Sequence, residues 1–189
     1  MALVDRVKNI LLTPRTEWQV IDAEQTTPAE LYKQYIVPLA AVGPVASAIG
    51  ALAFGYRGFG LNYRPPVGTV LSSAVVTYLL TLGGVYVLAL IIDALAPNFG
   101  GVKDQMQALK VAAYSSTASW VVGIFGLIPA LSWLGVLGLY SLYLLYLGLP
   151  VLMKSPAEKA MGYTAVVIIA AIVLFLVIGL VAGTFMTMG

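Results

Sequence analysis

Asp93 is the acidic side chain that closes the longest apolar run of this chain, and an ionisable group at such a border can relay a proton or hold a cation. Tyr86 lies seven residues earlier on the same helical face, within range as a hydrogen-bond partner. Ser73, Thr77 and Thr81 recur every four residues through the same run, and Tyr114, Ser115, Ser116, Thr117 and Ser119 cluster in the next one. Together these groups can line a polar pathway. They also have plainer uses. Asp93 sits beside Pro97 and Gly100-Gly101, where it can meet water or pair with Lys103 or Lys110. Hydroxyls inside helices commonly bond back to their own carbonyls or bridge two helices, at about 1 kcal/mol or less each. Tyr140, Tyr143 and Tyr146, spaced by three residues, read as a packing face.

Composition narrows the chemistry further. Cysteine and histidine are absent from all 189 residues, so there is no thiol nucleophile, disulfide, Cys/His zinc site or histidine general base. No P-loop, dinucleotide fingerprint or paired catalytic carboxylates occur. The expectation is therefore a chain without catalytic, cofactor-binding or metal-binding residues, and without a buried ion pair. The net charge of +2 is too small for a nucleic-acid surface.

The elements that must position these groups are membrane helices. Apolar residues make up 60% of the chain, charged ones only 10%, and mean hydropathy is +0.95. A soluble domain carries about 25% charged residues. The fold class expected is all-α: a bundle of five transmembrane helices at about residues 35–54, 67–92, 109–128, 131–152 and 163–185. Residues 1–27 form a cytoplasmic amphipathic segment and residues 28–189 the membrane domain. Leu3, Val4, Val7, Ile10 and Leu11 fall at helical spacing, a pattern that can lie on a membrane or dock onto the bundle. Thr13-Pro14 starts a second short helix with Trp18 as an interfacial anchor. Thr27-Pro28-Ala29-Glu30 reads as a capping box from which a helix continues into the first span. Pro129-Ala130 joins the third and fourth spans tightly, while Pro38, Pro44 and Pro150 mark kinks or ends.

Orientation follows from the basic residues. Arg6, Lys8, Arg15, Lys33, Lys103, Lys110, Lys154 and Lys159 fall on the side of the N-terminus, and only Arg57 and Arg64 on the other, where they can anchor to lipid phosphate. The N-terminus is thus expected in the cytoplasm and the C-terminus opposite. Gly43, Ser47, Ala51 and Gly55 form a small-residue groove in the first span, and Gly179 and Gly183 a G-x-x-x-G pair in the last. Their partners can be helices of the same chain, of another copy or of another membrane protein.

The order of motifs carries a resemblance. Asn9-Ile10-Leu11-Leu12-Thr13-Pro14 and Glu17-Trp18 precede Pro38-Leu39 and Gly43-Pro44. Asp93, Pro97-Asn98-Phe99-Gly100-Gly101, Ala113-Tyr114-Ser115-Ser116-Thr117 and Trp120 come next. Tyr140-Ser141-Leu142-Tyr143, Leu147-Gly148-Leu149-Pro150 and Lys159-Ala160 before Gly162-Tyr163 complete it. Over nearly its whole length the chain resembles the Yip family, named for interaction with Ypt/Rab GTPases, and looks most like its prokaryotic members. That resemblance implies a five-span membrane protein, which in eukaryotes serves vesicle trafficking at the Golgi and endoplasmic reticulum. For a prokaryotic member it implies the plasma (inner) membrane. The N-terminal segment of about 30 residues is shorter than the partner-binding domains of the trafficking proteins. The reading is a membrane-organising or partner-binding scaffold in the lipid bilayer, with a small oligomeric channel or transporter as the alternative.

Overall fold

A computed structural model describes residues 2–58 and 61–187. Two amphipathic helices open the chain, α1 (Leu3–Leu12) and α2 (Pro14–Ala23). Pro14 occupies the first helical position of α2, where its missing N–H costs nothing. Thr13 does not cap α2 with its side chain; its hydroxyl donates back to the Asn9 carbonyl at 3.1 Å.

The capping box at Thr27 forms as expected. The Thr27 N–H donates to Glu30 Oε2 at 2.9 Å, and Thr27 Oγ1 accepts from the Glu30 N–H at 3.2 Å. From there helix runs into the first pass through α3 (Pro28–Leu31), a π-turn at Tyr32–Ile36, α4 (Val37–Ala40) and α5 (Val42–Phe54). Pro38 lacks an N–H and crowds the preceding turn, and the π-turn absorbs that mismatch. Gly55 ends α5 at φ +64°, a conformation that a side chain would resist. A short antiparallel hairpin follows, β1 (Tyr56–Gly58) with β2 (Leu61–Tyr63), pairing Tyr56 with Tyr63.

The second pass is α6 (Val67–Leu95), extended by a 3₁₀ turn at Ala96–Phe99. The fourth is a 3₁₀ stretch, Pro129–Leu139, leading into α9 (Tyr140–Leu152), and the fifth is α10 (Ala157–Thr187). Among the described residues, four helical segments are long and apolar enough to cross a membrane: Pro28–Phe54, Val67–Phe99, Pro129–Leu152 and Ala157–Leu180.

The third pass differs from the continuous helix expected at 109–128. It is built from α7 (Gln105–Ser115), α8 (Thr117–Val122) and a 3₁₀ segment, Gly123–Leu127. The hydroxyls explain the break. Ser116 donates to the Ala112 carbonyl at 2.8 Å and Thr117 to the Tyr114 carbonyl at 2.7 Å, bonds that bend a helix locally. The pass still crosses the bundle. Gln107 near its start donates to the Asp22 carbonyl at the end of α2, whereas the Gly126 backbone lies against Gly50 far along the first pass. The core sits where these passes meet α1 and α2: Ile10, Trp18, Ile21, Ile36, Ile92, Leu109, Leu144, Leu149 and Tyr163 are all fully buried.

Candidate functional site

Two features stand out, a cap at one end of the bundle and a pair of cavities in its middle. The cap is α1 and α2, which dock on the bundle. Ile10 and Ile21 supply the buried face, and Trp18 between them inserts against Gly148 of α9. A Cβ on Gly148 would lie 2.7 Å from the Trp18 ring, so only glycine leaves room for it. Trp18, expected at a membrane border, is instead fully enclosed, and its Nε1 has no hydrogen-bond partner among the described residues. The amphipathic pattern at 14–23 has its apolar side turned to the protein rather than to lipid.

Polar ties surround that wedge. Arg6 is 5% exposed and donates to Glu17, itself 4% exposed, at 2.5 Å; a second arm reaches Glu24. The same guanidinium lies 5.6 Å above the centre of the Tyr114 ring. This buried pair corrects the expectation that the chain holds none. Its signal in the sequence was weak but present, because Arg6 shares a helix face with Ile10 and Glu17 with Ile21. Lys110 donates to the Ile21 carbonyl at 2.9 Å and to the Glu24 carbonyl, placing a cation on the C-terminal end of α2. Lys154 pairs with Asp22, and the Tyr140 hydroxyl donates to the Leu11 carbonyl at 3.0 Å. Tyr35 shares a 2.6 Å hydrogen bond with Thr117, and its ring meets that of Tyr114 at 4.5 Å.

The residues of the expected polar pathway do not stay together. Ser73, Thr77 and Thr81 line a cavity of about 470 Å³ between the first, second and third passes. Ser116 lines a neighbouring cavity of about 580 Å³. Tyr114 belongs to the cap instead. Asp93 and Tyr86 stand apart from both cavities and from each other: Tyr86 accepts from Gln105 Nε2 at 2.9 Å, while Asp93 Oδ1 is buried without a hydrogen-bond partner among the described residues. Neither Lys103 nor Lys110 forms an ion pair with Asp93 among the described residues. Beside Asp93, the Tyr163 hydroxyl donates to the Ile92 carbonyl and its ring stacks on Phe99, with centres 4.9 Å apart.

The small-residue groove has its partner in this chain. Gly43 faces Gly123, and the Ser47 hydroxyl lies against Gly126. Gly50, one position off the expected stripe, approaches the Gly126 and Leu127 carbonyls so closely that a Cβ could not fit. Ala51 is buried on the same helix, and Gly55 packs on Arg64. A Cβ on Gly179, by contrast, would meet open space. The Arg57 side chain and the surroundings of Gly183 lie outside the described residues; Arg64 is exposed.

A family model for the Yip1 domain matches residues 8–178. The chain belongs to the Yip1 domain family. Neither the curated proteins nor the solved structures gave a significant match. The Yip1 match runs from within α1 to within α10, so it takes in α2, the first four passes and part of the fifth. With its long apolar helices, this makes the chain a multi-pass membrane protein in contact with lipid.

Proposed function

We propose that this Yip1-domain protein is a non-enzymatic scaffold of a plasma membrane, with its N-terminal cap in the cytoplasm and its C-terminus on the opposite side. The observation that carries the reading is the docking of α1 and α2 onto the bundle. Docking holds the buried faces inward and fixes an outer face on which Val4, Lys8, Leu12, Arg15, Gln19 and Val20 are exposed. A rigid surface of mixed apolar and basic groups suits the membrane–water border or a partner protein, because little ordering entropy remains to oppose binding. The basic residues support the orientation: Lys110 and Lys154 hold α2, and Lys159 lies near Gly100 at the same end.

The test is affinity purification of the full chain from its own membrane after mild cross-linking. A partner recovered in fixed stoichiometry, and lost when Val4 and Leu12 are both changed to Asp, supports the scaffold. Solute flux through the purified protein in liposomes overturns it.

A conducting path is the second reading, favoured by the hydroxyls along the two cavities. Thr81→Val, on the wall that the two cavities share, then alters flux in liposomes while the fold persists. Unchanged flux removes the cavities from any path.

A further inference from the structure

The two cavities meet. Ser47 from the first pass, Thr81 from the second, and Ser119 and Trp120 from the third border both of them. Along α6 the lining runs from Thr69 to Leu88, about 28 Å of helix axis at 1.5 Å per residue. The two chambers differ in character. The first is lined by the hydroxyls of Ser47, Ser73, Thr77 and Thr81 and reaches Tyr63 and Pro65 at the hairpin end. The second continues toward the cap between Leu88, Leu142, Leu145, Leu174 and Phe175, with Ser115, Ser116, Ser132 and Ser141 also on its wall.

Charge decides what can enter. No charged side chain lines either chamber among the described residues, and an ion left unpaired in such surroundings is strongly disfavoured. Hydrogen-bonding capacity narrows the choice again. Ser73 donates to the Val70 carbonyl at 3.0 Å and Thr81 to the Thr77 carbonyl at 2.8 Å, so both present only acceptor lone pairs to the cavity. The hydroxyls of Ser47 and Thr77 make no hydrogen bond among the described residues and face the same space. A ligand that both donates and accepts, such as an alcohol, satisfies this set. The leucines and Phe175 of the second chamber suit a hydrocarbon chain, since its Ser115, Ser116, Ser119 and Ser141 hydroxyls are already held by the protein, and each chamber has the size of an ordinary ligand pocket.

From this geometry we infer a binding site for one uncharged lipid alcohol of the monoacylglycerol type. Its hydroxyls lie among Ser47, Ser73, Thr77 and Thr81, and its chain passes Trp120, which borders both cavities, into the second chamber. The site is independent of the scaffold reading: either can fail while the other stands.

Native mass spectrometry of the full chain released from nanodiscs tests this, with 1-monooleoylglycerol, glycerol and oleoyl lysophosphatidylglycerol as probes. The expected result is one retained monooleoylglycerol, with glycerol, which has no chain to bury, and the lysolipid, whose ionic group loses strong solvation, each held at least about tenfold more weakly. Thr77→Val removes a free hydroxyl at nearly constant shape and weakens retention about fivefold, the size of one hydrogen bond. Gly135→Leu fills the second chamber from a position where a Cβ meets open space, and abolishes retention at an unchanged melting temperature. Absence of a monooleoylglycerol adduct overturns the site. So does equal retention of glycerol, which marks a water-soluble polyol, or of the lysolipid. Retention that neither variant alters overturns it as well.

Discussion

Replacing Arg6 by methionine removes the one cation that, among the described residues, pairs with Glu17 and leaves a carboxylate that is only 4% exposed. Breaking a buried pair from one side costs about 3–5 kcal/mol, because the remaining charge keeps its desolvation penalty without its partner. The second arm of Arg6 contributes little to that figure, since the Glu24 side chain is 38% exposed and screened by water. The cost falls on docking rather than on the whole fold: Arg6 and Glu17 lie on α1 and α2, while the passes hold one another through their own contacts. At 1.4 kcal/mol per decade, the undocked population rises by about two to three and a half orders of magnitude. Hydrogen exchange on the full chain in nanodiscs reads this directly, with amides of α1 and α2 losing protection while α6 and α9 retain theirs. The double variant Arg6→Met with Glu17→Met replaces the pair by apolar groups of similar size and restores most of the protection. Unchanged exchange in Arg6→Met, or a double variant worse than the single, refutes the reasoning.

Other outcomes follow from the same contacts. Gly148→Val meets the Trp18 ring at under 3 Å and releases the cap, seen as faster exchange in α2 with the passes unchanged. Gly50→Ala forces the first and third passes apart and lowers the melting temperature, whereas Gly179→Ala, whose Cβ meets nothing in this chain, leaves it unchanged; equal effects would contradict the packing described. Tyr163→Phe keeps the ring on Phe99 but removes the hydrogen bond to the Ile92 carbonyl, costing about 1 kcal/mol in a denaturation midpoint. Lys154→Ala breaks a pair whose lysine is 53% exposed, and changes stability by at most about 1 kcal/mol.

The membrane class, the capping box and the small-residue groove were legible because each is a local pattern. Hydropathy needs only a run of apolar residues, and Thr27 with Glu30 needs only a spacing of three. The third pass was misjudged as one helix because hydropathy does not register Ser116 and Thr117 bonding back to their own carbonyls. Trp18 was misplaced for a different reason. An amphipathic helix shows which face is apolar, but whether lipid or protein covers that face depends on Gly148, 130 residues away. The polar pathway shared the same limit: seven-residue spacing brought Tyr86 and Asp93 onto one face, yet Gln105 from the next element took the tyrosine. Hydroxyls every four residues, by contrast, stayed together along one straight helix and do line a common cavity.

The most direct test of the docked cap and of its proposed cytoplasmic side uses the natural absence of cysteine. Asp22→Cys with Lys154→Cys places two thiols where α2 and the end of α9 are joined by an ion pair. A short membrane-impermeant bismaleimide applied to oriented membrane vesicles is expected to cross-link them from the cytoplasmic face alone, with either single variant giving none. No cross-link from either face, or a cross-link formed only from the opposite face, contradicts the docked cap and its orientation.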